Sequence, residues 1–224
     1  MTGIKRPKTA SLNRALLSRR PIDSSALGVR GALFHRFTKN GRYEVFVRRA
    51  GRLLHRELIE VVDQQGSTQL DVRLGLAEDE QRCCCGRRDA EGARLQTGGV
   101  MVFHAARGAA SYQVNIELWH DKGREVELDS RSGLPAGDLF AASLVMPGHY
   151  RMLLGQKVVT EIRVRDPNPK RPHRADHPVL LKSGQPQKKG LEIDAGNCVV
   201  LWLEEPGTVR IEPIELLGQK VKTN

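Results

Sequence analysis

The chain has 224 residues, 39% hydrophobic and 28% charged, with 36 lysines and arginines against 26 aspartates and glutamates and a net charge of +10. That length can bury an adequate core as one large or two small domains, and the charge favours acidic or polyanionic partners without bearing on the fold. No run of 18 apolar residues occurs, so no membrane-spanning helix is expected. Four cysteines, three of them adjacent, do not make a disulfide framework, and a reducing, cytoplasmic setting follows.

Residues 1–30 read as a basic flexible arm. Lys5, Arg6, Lys8, Arg14, Arg19, Arg20 and Arg30 face a single acid, Asp23, and the first six of these basic residues are the candidate contacts to a partner or polyanion. No apolar core follows the charges, so the arm is not a secretory signal. "SLNRALLSRR" has the pattern for two helical turns capped by Ser11, too short to hold in water unless laid on something.

From residue 31 the period becomes two, and residues 31–166 are expected to form a β-rich domain. Tyr43, Val45 and Val47 share a face, as do Leu70, Val72, Leu74 and Leu76, then Tyr112, Val114, Ile116 and Leu118, then Val158, Thr160, Ile162 and Val164. Alternation of this kind suits a strand buried on one side. "GRLLHRELIEVV" differs: Leu54, Leu58 and Val61 or Val62 recur at near-helical spacing, which fits a helix or a bent strand. A division into two sub-sheets is expected near 77–98.

That division holds "EDEQRCCCGRRDAEG", residues 78–92. Cys83 and Cys85 share a face if the run is extended, and with Cys198 or a histidine they could hold zinc; nearby arginines favour thiolates and hence redox or acyl chemistry. An ordinary cysteine-rich loop is the simpler reading. Residues 167–190 are rich in proline and basic side chains and read as a long surface connection, 191–214 as closing strands, and 215–224 as a tail.

"LVMPGHYRMLLGQKVVTEIRVRDP", residues 144–167, looks like the closing hairpin of immunoglobulin-like, prealbumin-like and cupredoxin-like β-sandwich modules, with a Pro-Gly turn, an inward tyrosine and a final alternating strand. The resemblance implies an architecture and no activity. It does not extend to a blue-copper site: His149 and Met152 lie in the hairpin, but no cysteine occurs between Met101 and Asp166.

The fold expectation is therefore mainly β, a sandwich or barrel with a basic N-terminal arm and a long Pro-rich connection. No nucleophile elbow, phosphate loop or dinucleotide fingerprint is present, and His173 and His177 are bracketed by prolines without a glutamate base, so no catalytic residue is assigned. The expected function is a non-enzymatic structural or accessory subunit that docks on a protein partner through its arm and extended segments. The alternatives are a metal- or thiol-dependent protein using Cys83 and Cys85, and a nucleic-acid binder acting through surface charge, which aromatic residues at 4% support poorly.

Overall fold

The computed structural model describes residues 19–64, 66–75, 92–106, 110–166, 178–183, 190–216 and 219–221. The chain is mainly β. Its strands are β1 (Ile22–Asp23), β2 (Gly31–Arg36), β3 (Gly41–Arg49), β4 (Arg52–Val62), β5 (Ser67–Leu74), β6 (Ala93–Ala105), β7 (Gln113–His120) and β8 (Gly123–Asp129). They continue with β9 (Leu139–Ser143), β10 (Gly148–Leu154), β11 (Lys157–Arg165), β12 (Val179–Lys182), β13 (Leu191–Asp194), β14 (Cys198–Trp202), β15 (Val209–Leu216) and β16 (Gln219–Lys220).

Two sheets hold these strands. One runs β1-β15-β10-β11-β13, with β16 also on β15; the other runs β12-β14-β9-β2-β6-β4-β3-β7-β8, with β5 also on β6. From β9 to β15 the chain passes repeatedly between the sheets, which makes β11 and β13 parallel neighbours in one and β12 and β14 in the other. Strand β2 lies between β6 and β9 and so joins the strands of the first half of the chain to those of the second. Proline is admitted to β15 by a gap: β1 pairs with Arg210 and Ile211 and β16 with Glu215 and Leu216, so Pro213 needs no donor toward that side.

The alternating segments form strands as their pattern requires. Tyr43, Val45, Val47, Leu70, Val72, Leu74, Val114, Ile116 and Leu118 are all buried in one continuous core. One segment decides between its two expected alternatives and two depart from the expectation. "GRLLHRELIEVV" is a strand, because Leu54 and Leu58 point to the outer side of the sheet while Ile59 and Val61 point inward, and the near-helical spacing mixes the two faces. Val158 is 46% exposed: a register shift between Met152 and Leu153 leaves Val159 unpaired and turns Val158 outward, although Thr160, Ile162 and Val164 are buried as expected. Within the Pro-rich connection, Val179–Lys182 forms an edge strand, the place where a proline-flanked segment can pair on one side. At the N-terminal end the chain joins the fold by residue 22. Ile22 and Leu27 are buried, and Ser24 Oγ accepts from Val209 N at 2.9 Å.

Two turns are fastened in the same way. Tyr43 donates its hydroxyl to Lys39 O at 2.8 Å and Tyr150 donates to Met146 O at 2.8 Å, each reaching back four residues across a Gly-x-Tyr start of strand, Gly41 to Tyr43 and Gly148 to Tyr150. Burial pushes both phenols up to about 12 from 10.0, with Glu127 adding to the rise at Tyr43 and Arg30 opposing it at Tyr150. Because the folded value lies above the unfolded one, the contribution is complete below about pH 10 and is lost as pH climbs toward 12. Urea midpoints should therefore fall between pH 10 and 12, less steeply in Tyr150→Phe, which itself loses about 1 kcal/mol at pH 7. A Tyr150→Phe midpoint that tracks the parent across this range would refute the assignment.

Candidate functional site

The outer side of β4-β3-β7-β8 is the candidate site. Register aligns its side chains in rows across the four strands. Glu60, Arg42, Trp119 and Arg124 form one, Leu58, Glu44, Glu117 and Val126 the next, and Arg56, Phe46, Asn115 and Asp129 a third. Arg94 on β6 extends the first row, its Nε donating to Glu60 Oε2 at 2.9 Å.

Glu44 is the centre of this face and is fully buried although it points away from the core. Arg56 Nε donates to its Oε1 from β4. Arg124 Nη1, from β8, stands 2.9 Å from Oε2, off the line of a hydrogen bond, and 3.2 Å from Glu117 Oε2. Like carboxylates directly opposite each other on neighbouring strands repel; here Arg124 bridges Glu44 and Glu117 and Arg56 supplies the second positive charge, while the Arg124 guanidinium lies 4.8 Å over the Trp119 ring. The charges at the middle of the face are thus consumed within it. Outward it presents apolar side chains among these arginines: Leu58 is 48%, Trp119 41% and Val126 58% exposed, beside Arg56 and Arg124.

Beside this face, Lys39 ties the β2–β3 turn to β8, with Nζ 2.9 Å from Glu127 and 3.4 Å from Glu125. The hydrogen bond to Glu127 raises the lysine pKa, and the hydrogen bonds from His120 and then Lys39 hold the Glu125 carboxyl below its ordinary value.

A second cluster sits at the seam between β2 and β9. His35 Nδ1 lies 3.0 Å from both carboxylate oxygens of Asp138, both residues are buried, and Arg36 N donates to Asp138 Oδ1 at 3.3 Å. The imidazole stands edge-on to Phe37, which stands edge-on to Tyr43, each at 4.8 Å. The pair fastens the two halves of the sheet and presents no open cleft to a substrate.

The candidates read from sequence are not brought together. Lys5, Arg6, Lys8 and Arg14 lie outside the described residues, as do Cys83, Cys85, His173 and His177; Arg19 and Arg20 are described and exposed. Cys198 lies half-buried on β14, its thiol pushed up by burial against the opposing hydrogen bonds from Ser143 and Ala142. His55, His120 and His149 each pair with a neighbouring glutamate at the surface. Among the described residues no three histidine, cysteine or acidic side chains converge as metal ligands. No helix among them is long and apolar enough to cross a membrane. Comparison with family models, curated proteins and solved structures finds no match to the chain.

Proposed function

We propose that the chain is a non-enzymatic accessory subunit of a cytoplasmic assembly, and that a protein partner covers the outer face of β4-β3-β7-β8 while the basic arm lies along the same partner. The observation that carries this reading is the exposure of Leu58, Trp119 and Val126 around a Glu44 whose charge is met within the face. An isolated antiparallel sheet alternates hydrophobic-in with polar-out, and large apolar side chains in the outward register are what an interface core uses. The same proposal takes the two sheets as layers of a sandwich, supported by the two tyrosine-anchored turns, a device of Greek-key sandwiches.

The test is co-purification of a stoichiometric partner from the native source. Trp119→Ala with Leu58→Glu should abolish recovery, and deletion of residues 1–18, which spares every described residue, should weaken it. Undiminished recovery with the face variant would refute the proposal.

A further inference from the structure

We propose that the tip of the β3–β4 hairpin docks the protein on an anionic lipid bilayer surface. The inference goes beyond the protein-partner reading and rests on different residues. The tip is built by a two-residue turn: Arg49 and Arg52 pair across Ala50 and Gly51, whose φ values are 48° and 78°, the geometry that twists two strands tightly together. Strand β4 meets β6 only from Ile59 onward, so among the described strands residues 52–58 pair with β3 alone, and β3 pairs with β7 only as far as Arg48, which leaves the turn at residues 49–52 at the margin of the sheet.

A register shift between Val47 and Arg48 then leaves Leu54 as an extra residue on β4. A bulge re-aims side chains locally, and here two consecutive leucines end outside the core, Leu53 at 45% and Leu54 at 44% exposure. Arg48, Arg49 and Arg52 surround them. No acid occurs in the nine residues "RRAGRLLHR", and no ion pair to these three arginines occurs among the described residues. Their neighbours are already engaged, Arg56 with Glu44 and His55 with Glu57.

The combination selects the partner. Guanidinium groups match phosphate oxygens in a fixed fork, so the three arginines suit a phosphate-bearing surface. Adjacent aliphatic side chains gain free energy only where an apolar layer lies directly beneath those phosphates, as at the boundary between headgroups and acyl chains. A single-stranded nucleic acid would instead call for an exposed aromatic platform. The tip has none, since Phe46 is buried beneath Arg48, whose guanidinium lies 5.1 Å from its ring. Each arginine near an anionic leaflet strengthens binding roughly fivefold, so three supply roughly a hundredfold before the leucines contribute.

The test uses the full chain and sedimenting vesicles, one set of phosphatidylcholine and one containing about one-third phosphatidylserine. The protein should bind the second set and not the first. Arg49→Gln with Arg52→Gln should weaken binding roughly 25-fold, and Leu53→Ser with Leu54→Ser about tenfold. All four positions are exposed, so circular dichroism should be unchanged in both variants. Three results would overturn the proposal. The parent protein could fail to bind the anionic vesicles, or bind as well in the arginine variant, which would place the contact on another basic segment. Loss in the arginine variant with full binding in the leucine variant would mark a phosphate site of the nucleic-acid kind, with no insertion. Because no protein partner is present, failure here leaves the proposed docking face untouched.

Discussion

Replacing Asp138 with alanine is expected to remove about 2–5 kcal/mol of stability, the cost of leaving two donors without their buried acceptor. The carboxylate is the only described acceptor for His35 Nδ1, and it also takes the Arg36 amide at 3.3 Å. Without it, two donors are stranded at a site where both partners are nearly inaccessible to water. Asp138→Asn retains an acceptor for one donor and should cost about half as much. The ring also loses its orientation against Phe37, and through Phe37 the disturbance reaches Tyr43 and the β2–β3 turn. Urea unfolding at neutral pH measures the effect directly. In a double-mutant cycle, His35→Ala with Asp138→Ala should recover about 1–2 kcal/mol relative to the sum of the single losses, since neither partner is then left alone. A midpoint within about 0.5 kcal/mol of the parent for Asp138→Ala would show that the pair does not fasten the seam.

Gly148→Ala should be at least as damaging, at about 3 kcal/mol or more, and the reason is local. A Cβ at Gly148 would stand 2.3 Å from Glu215 O and 2.9 Å from Leu216 Cδ2, so β10 and β15 would have to separate. The contact is with backbone, which cannot rotate away, and it falls beside the register shift between His149 and Tyr150 that seats the tyrosine. Gly155 provides the comparison. Its φ is +58°, yet nothing lies within 4 Å of the place an alanine methyl would take, so Gly155→Ala carries only the left-handed backbone cost of about 1–2 kcal/mol. Thermal or urea unfolding of the two variants side by side separates close approach from conformational preference. Equal losses would mean that β15 yields easily to β10, contrary to the packing described.

Much of the fold was legible because burial on one side writes itself into alternate residues. β3, β5 and β7 are phased by Tyr43-Val45-Val47, Leu70-Val72-Leu74 and Val114-Ile116-Leu118, all of them buried. The same phasing places Trp119 outward after Gln113, Asn115 and Glu117, so an exposed tryptophan could have been read from it. Leu58 could not, because leucines on both sides of β4 produce a spacing that resembles a helix. Glu44 looked like any outward charge; its burial depends on Arg56 and Arg124 arriving from two other strands. The His35–Asp138 pair depends on β9 docking on β2, a long-range event that leaves no local trace in either segment. The cysteine run and most of the arm lie outside the described residues, and their roles rest on the sequence alone.

The position of β2 has a consequence for synthesis. His35 and Asp138 are 103 residues apart, so at about 5–20 residues per second β2 leaves the ribosome roughly 5–20 s before the strand that will pair with its far side. Throughout that interval the nascent sheet carries an open edge in its middle, with Leu33 and Phe34 on it and the donors and acceptors later taken by β9 still free. An edge of that kind recruits other chains. Yield of the folded protein therefore depends on translation rate and holdase supply as well as on the stability of the finished fold, because slower elongation keeps this edge open for longer.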